Sequence, residues 1–430
     1  DTHIWLGGPE VSYDAPDVLR RLPEVSGVMR GEGEETFTKL CSIYCTKGLS
    51  GAADEFGPVN GITYRGLDGG ISENPCREVL DLSSVPFVYR DMEGFRNKIV
   101  YYESSRGCPF SCSYCLSSVD KKLRFRDTAL VKQELQFLMD AGVPQVKFVD
   151  RTFNCNHKHA MDIWTYITEH DNGITNFHFE VAADLLTEEE LKLFEKMRPG
   201  LIQLEIGIQS TNLRTIEEIR RTMDFERVKH IVRRIQGYGN IHQHLDLIAG
   251  LPYEDMDSFV RSFDDVYTLH PEQLQLGFLK VLKGSWMERQ KEAYGLVHKS
   301  KPCYEVLYTD WISYDDILRL KGIEEMVEVY YNSGQFTRTI GSLEEEFYSP
   351  FEMYDRIRGY YVEHNHMDVQ HKRSARYGIL LDFIIGWCGE KAEYYRDLLT
   401  FDYYLRENAK TRPEFAGRYV LTKEQARQFY

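Results

Sequence analysis

Between residues 98 and 285, short apolar runs alternate with helical stretches, and this alternation restricts the segment to an α/β fold built on a parallel sheet with right-handed crossovers. The spacing predicts strands at 99–104, 145–149, 176–182, 201–208, 243–248 and 273–280. Six such βα passages predict a partial (β/α)6 barrel of the TIM type, open on one side. Successive side chains of a strand point to opposite faces, so parity shows which face is packed. Along 201–210, Ile202, Leu204, Ile206 and Ile208 share one parity, leaving Gln203, Glu205, Gly207 and Gln209 on the other. Leu245 and Leu247 are expected under the helices, with His242, His244 and Asp246 facing the interior. In 177–183 the odd positions are apolar, and His178 and Glu180 take the opposite face. An interior filled only for stability would carry branched apolar residues there. The alternative is a satisfied polar network or an exposed strand face.

The loop after the first of these strands reads Arg106-Gly107-Cys108-Pro109-Phe110-Ser111-Cys112-Ser113-Tyr114-Cys115. It gathers three of the nine cysteines; Cys41, Cys45, Cys76, Cys155, Cys303 and Cys388 are scattered. Close thiolates on one loop are the usual ligands of an iron–sulfur cluster. A zinc knuckle needs four donors, and no fourth Cys or His lies nearby, His157 and His159 being some forty residues on. Three thiolates leave one iron of a 4Fe–4S cube without a protein ligand. An odd cysteine count and the lack of a charged leader before an apolar stretch predict reduced thiols in a cytoplasmic protein. No apolar run reaches membrane-spanning length. A formal charge of −15 argues against a broad nucleic-acid footprint.

The Cys-x3-Cys-x-aromatic-Cys pattern resembles the radical S-adenosylmethionine (SAM) superfamily. The resemblance implies that Cys108, Cys112 and Cys115 hold a 4Fe–4S cluster, that SAM chelates the open iron, and that Tyr114 lies against the adenine. Phe179-Glu180-Val181, Gly207-Ile208-Gln209-Ser210 and Asp246-Leu247-Ile248-Ala249-Gly250-Leu251-Pro252 are similar to segments of the oxygen-independent coproporphyrinogen oxidase type. Through that similarity Glu180, Gln209 and Asp246 are expected on the ribose hydroxyls and Arg221 on the SAM carboxylate. Carboxylates and an amide suit a diol, and a guanidinium suits a carboxylate. Where the superfamily often has Gly-Gly-Glu after its second strand, this chain has Asp150-Arg151-Thr152, which leaves the SAM amino group unassigned.

Ahead of the barrel, Ile4-Trp5-Leu6 runs into Gly7-Gly8-Pro9, and Gly27-Val28-Met29 into Arg30-Gly31-Glu32-Gly33-Glu34, each before a helix. These are strand–glycine-loop–helix passages, as in a doubly wound sheet. They resemble the end of the cobalamin-binding module of many radical SAM proteins, which implies Gly7, Gly8, Arg30, Gly31 and Glu32 beside the corrin. The expected organisation is 1–50 as the C-terminal part of a Rossmann-like cobalamin module and 51–97 as a linker. The radical SAM partial barrel then covers 98–285 and a helical C-terminal domain 286–430. Most of the chain resembles one subgroup of cobalamin-type radical SAM proteins with an uncharacterised helical extension. The implied activity is anaerobic reductive cleavage of SAM to a 5′-deoxyadenosyl radical, fed by flavodoxin or ferredoxin, followed by C-methylation of an unknown substrate. A radical SAM oxidoreductase or rearrangement enzyme and a non-catalytic cobalamin-responsive binding protein stand as alternatives. His178, Glu205, His242, His244 and Cys155 are the candidates to line the substrate site.

Overall fold

A computed structural model describes residues 2–95, 97–119, 121–407 and 411–417. The N-terminal strands β1 (Trp5–Gly7) and β2 (Gly27–Met29) pair in parallel, Trp5 opposite Gly27. β3 (Ile62–Arg65) pairs antiparallel with β2, and β4 (Ile71–Glu73) antiparallel with β3, giving the order β1-β2-β3-β4. Two of these four strands thus come from the segment between 51 and 97. The sheet buries apolar side chains on both faces. Ala15, Val18, Leu19, Val25 and Val28 form one cluster, and Leu40, Ala52, Phe56, Val59 and Ile62 the other.

The main sheet has six strands: β5 (Ile99–Tyr102), β6 (Gln145–Phe148), β7 (Asn176–Val181), β8 (Ile202–Gln209), β9 (His242–Ala249) and β10 (Gln273–Phe278). Their order is β10-β9-β8-β7-β6-β5, with parallel register between β5 and β6, β6 and β7, and β9 and β10. Consecutive strands are neighbours, as simple right-handed βα winding requires. The expected strands are all present. β8 alternates strictly between buried Ile202, Leu204, Ile206 and Ile208 and half-exposed Gln203, Glu205, Gly207 and Gln209.

The chain divides into two compact units. The first comprises Asp1–Glu205, Ile216–Ile241 and Leu279–Val306. Its core includes Phe148, Phe153, Trp164, Phe179 and Phe194, with Phe153 and Phe179 ring centroids 4.4 Å apart. The second comprises Ile206–Thr215, His242–Phe278 and Leu307–Tyr430, and its described residues are mainly helical. Its aromatic residues are packing elements: Tyr330, Tyr354, Tyr361, Tyr377 and Tyr395 are buried, and the Tyr330 and Tyr361 hydroxyls lie 2.6 Å apart. Asp402, also buried, accepts from the Arg338 and Thr339 amides (3.1 and 2.8 Å) and the Thr339 hydroxyl (2.8 Å), closing the start of helix Thr337–Leu343. That start would otherwise leave amide donors without partners. Among the described residues no helix is long and apolar enough to cross a membrane.

Candidate functional site

The first unit carries the cysteine loop, and its base is built from the ends of β5 and β6. Asp150, 1% exposed, accepts from the Ser104 amide (2.9 Å), the Ser104 hydroxyl (2.7 Å) and the Ser105 hydroxyl (2.5 Å). Burial pushes its carboxyl up to about 6, against the pull of those donors. The Ser104 Oγ also lies 3.0 Å from His159 Nε2, and burial lowers that imidazole to about 4, so it is neutral at neutral pH. Gly107 follows with φ 93°, and a Cβ there would lie 2.8 Å from the Lys122 carbonyl oxygen. Only glycine delivers the chain to Cys108.

The loop is clipped on two sides. The Ser113 amide donates to the Ile219 carbonyl (2.8 Å), and the Ser113 carbonyl accepts from the Met287 amide (2.9 Å). Within it the Cys115 amide donates to the Cys112 carbonyl at 3.1 Å. Cys108 and Cys112 are buried and Cys115 is half-buried. Burial raises the Cys108 thiol, and the neighbouring Cys115 and Cys112 raise it further, which places the three thiols within electrostatic reach of one another. Among the described residues no three His, Cys, Asp or Glu side chains converge as a single-ion site would need. A cube makes a different demand, taking one thiolate per iron.

Two side chains from outside the loop reach these sulfurs. The Thr152 hydroxyl is 3.7 Å from the Cys108 Sγ, and Arg221 Nη1 is 3.9 Å from the Cys112 Sγ. Tyr114 sits beside the same pair. Burial holds its phenol above the ordinary value, opposed by Arg221 and reinforced by Cys112. Thr152 was missed by sequence reasoning, although the Asp150-Arg151-Thr152 departure marked its position. Asp150 itself points into the core as an anchor.

The residues expected on the nucleoside divide between the units. In the first, Glu180 lies near the end of β7 with Arg151 Nη1 3.8 Å from its carboxylate, and Arg221 stands by the cysteines. In the second, Gln209 ends β8 in the left-handed region (φ 74°), and Asp246 on β9 is 3.0 Å from His244 Nε2. Arg220, the neighbour of Arg221, is also left-handed (φ 55°).

Of the substrate candidates, His178 and Glu205 come together. Glu205 Oε2 lies 2.9 Å from His178 Nε2 and accepts from Lys147 Nζ at 3.0 Å, joining β6, β7 and β8 on one face. Lys147 was not singled out in the sequence; its place on the same parity as Gln145 was the available signal. In the second unit His242 is half-buried and His244 buried. Cys155 is half-buried just after β6, and burial, with Cys108 and Asp150 nearby, pushes its thiol up to about 11.

In the N-terminal sheet, Gly8, Pro9, Arg30, Gly31, Glu32 and Arg77 help line a cavity of about 460 Å³. A second, of about 560 Å³, lies against Gly7, Gly8, Gly31, Glu32, Glu34 and Arg106. Arg30 is turned to β4, 2.6 Å from Glu73, and Glu32 is held by Arg106 (2.8 Å), Arg124 (2.9 Å) and the Leu80 amide (3.0 Å). The glycines Gly7, Gly8 and Gly31 leave the cavity walls open.

Residues 102–266 match the model of the radical SAM superfamily, and residues 292–430 that of a protein family of unknown function, DUF4080. The chain carries a radical SAM domain, the class that works with a 4Fe–4S cluster and SAM. It is 27% identical over 261 residues to an uncharacterised methyltransferase of Pyrococcus horikoshii, covering 58% of this chain and 54% of that protein. It is 24% identical over 280 residues to an anaerobic magnesium-protoporphyrin IX monomethyl ester cyclase of Rubrivivax gelatinosus, covering 62% and 49%. The chain thus spans about half the length of the curated relatives it matches. Among solved structures, its fold is similar to OxsB, a cobalamin-dependent SAM radical enzyme, determined with aqua-cobalamin and SAM bound. The TM-score is 0.59 at 18% identity, over 94% of this chain and 66% of that one. It is also similar to the radical SAM methyltransferase TsrM from Kitasatospora setae with cobalamin and a [4Fe-4S] cluster (TM-score 0.56, 18% identity, 70% and 63% covered).

Proposed function

We infer that this chain is a cobalamin-dependent radical SAM enzyme that methylates carbon on a substrate held at the C-terminal ends of the strands. The observation that carries this reading is the pinned loop of Cys108, Cys112 and Cys115, two of its thiols buried. When bound, the reduced cluster supplies the electron that splits SAM into methionine and a 5′-deoxyadenosyl radical, and methylcobalamin supplies the methyl group.

The chain's own residues bind, orient and exclude water. Asp150, through Ser104 and Ser105, holds the start of the cysteine loop. Glu180, Gln209 and Asp246 supply the acceptors and the amide that a ribose diol needs, and Arg221 the guanidinium that a carboxylate needs. Asp150 is buried and taken up by Ser104 and Ser105, and the SAM amino group is assigned to backbone carbonyls after β6. The charged network of Lys147, Glu205 and His178, together with His242, His244 and Cys155, is assigned to the substrate side. Gly7, Gly8, Gly31, Arg30 and Glu32 are assigned to the corrin. The two cavities beside them, and the relatives' names, support that assignment. The expected setting is the anaerobic cytoplasm with a flavodoxin- or ferredoxin-type donor. Strand order with β5 and β10 at the edges supports a partial barrel.

The cyclase relatives favour one second reading, radical chemistry without methyl transfer. Product analysis separates them. Reconstituted anaerobically with iron, sulfide and cobalamin and given SAM and dithionite, the chain is expected to yield both 5′-deoxyadenosine and S-adenosylhomocysteine. 5′-Deoxyadenosine without S-adenosylhomocysteine from corrin-loaded protein selects the second reading. Neither product leaves a binding protein.

A further inference from the structure

We propose that Thr152 and Arg221 set the reduction potential of the cluster by donating hydrogen bonds to two of its three cysteine ligands, Thr152 to Cys108 and Arg221 to Cys112. The inference rests on the cluster assignment above. The free hydroxyl and thiol of the Thr152–Cys108 contact can donate in either sense, but ligation removes the ambiguity. A thiolate on iron has no proton and only accepts, so Thr152 O–H must be the donor at 3.7 Å and Arg221 N–H at 3.9 Å. Hydrogen bonds to cluster sulfurs are among the main determinants of potential. Each draws electron density from its sulfur, favours the reduced cluster and moves the potential upward. The two sulfurs served are those of buried Cys108 and Cys112, where water screens such a bond least.

Both donors are held from elements outside the cysteine loop, so they belong to the fold and not to the ligand motif. Thr152 lies two residues beyond the Asp150 anchor, and its carbonyl accepts from the Cys155 amide at 3.0 Å. The Arg221 amide donates to the Ile216 carbonyl at 3.0 Å, and the guanidinium of the preceding Arg220 covers the Trp286 ring at 3.8 Å.

The test is a redox titration of the reconstituted full chain, followed by electron paramagnetic resonance without SAM, with iron and sulfide measured for every protein. Omitting SAM keeps any carboxylate contact of Arg221 out of the readout. Thr152→Val is expected to shift the midpoint potential negative at unchanged iron content, with Thr152→Ser restoring the wild-type value. Arg221→Met is expected to shift it in the same direction, and the double variant further than either. Midpoints equal to wild type in iron-replete Thr152→Val and Arg221→Met overturn the proposal. If Thr152→Val does not hold iron, Arg221→Met decides. Loss of iron in both overturns it too, because a tuning bond is not an assembly requirement. A wild-type chain that assembles no cluster fails at the earlier step and removes the basis for both readings.

Discussion

At Glu254 a carboxyl group lies 1% exposed, its Oε1 accepting from the Ser210 hydroxyl (2.5 Å) and the Ser262 hydroxyl (3.1 Å). Its Oε2 is buried with no hydrogen-bond partner among the described residues. Burial outweighs the two hydroxyls and, with Asp255 adding to it, pushes the group from 4.5 up to about 7. The folded protein therefore holds this proton more tightly than the unfolded chain. The resulting stabilisation is complete below about 4.5 and is lost as the pH rises through about 7. Asp150 acts in the same sense near 6. In urea unfolding from pH 5 to 8, Glu254→Gln is expected to gain on wild type as the pH rises, reaching roughly 2–3 kcal/mol above neutrality. Parallel pH curves for the two proteins would refute it. The pair also shows what residue identity leaves open. Neither carboxyl announces its burial in the sequence, because only the fold decides which acidic residue is turned inward.

Strands were the most legible elements, since β8 prints its own cross-section as Ile202-Gln203-Leu204-Glu205-Ile206-Gly207-Ile208-Gln209. Leu204 is fully buried and Gln203 is not, so Leu204→Ala is expected to cost about 2–5 kcal/mol and Gln203→Ala under about 1 kcal/mol. Equal costs in denaturant titrations would contradict this assignment of the faces. The cysteine loop was equally legible, because its ligands are adjacent in sequence. What stayed hidden depended on neighbours far along the chain. Thr152 meets Cys108 across 44 positions, and Lys147 meets Glu205 across 58. Each is an ordinary residue until β6 is laid beside β5 and β7. The hairpin of β3 and β4 was legible only as a short hairpin-like stretch at Gly61-Ile62-Thr63-Tyr64-Arg65, and its place in the sheet was not, for a related reason. A short Gly-, Pro- and Asp-rich stretch looks like surface linker until β2 offers its edge.

At the scale of the molecule, the N-terminal sheet is fastened to the cysteine loop by charge. Arg106, two residues before Cys108, reaches Glu32 (2.8 Å), Glu34 (2.8 Å) and Glu103 (2.7 Å), and Lys283 reaches Glu10 (3.0 Å) and Asp14 (3.1 Å). At Gly284 a Cβ would lie 2.3 Å from the Tyr13 ring, so the loop after β10 packs directly against the Tyr13 side chain. Within this unit the glycine loops assigned to a corrin therefore share a framework with the thiols assigned to the cluster. All of it depends on three sulfurs carrying a cube with one iron left for SAM. The most direct measurement is iron, sulfide and electron paramagnetic resonance on the anaerobically reconstituted chain, before and after SAM. About four irons per chain, a reduced-cluster signal that SAM alters, and loss of both in Cys112→Ala are the predicted results. A chain that binds zinc, or iron with a signal indifferent to SAM, would contradict the account.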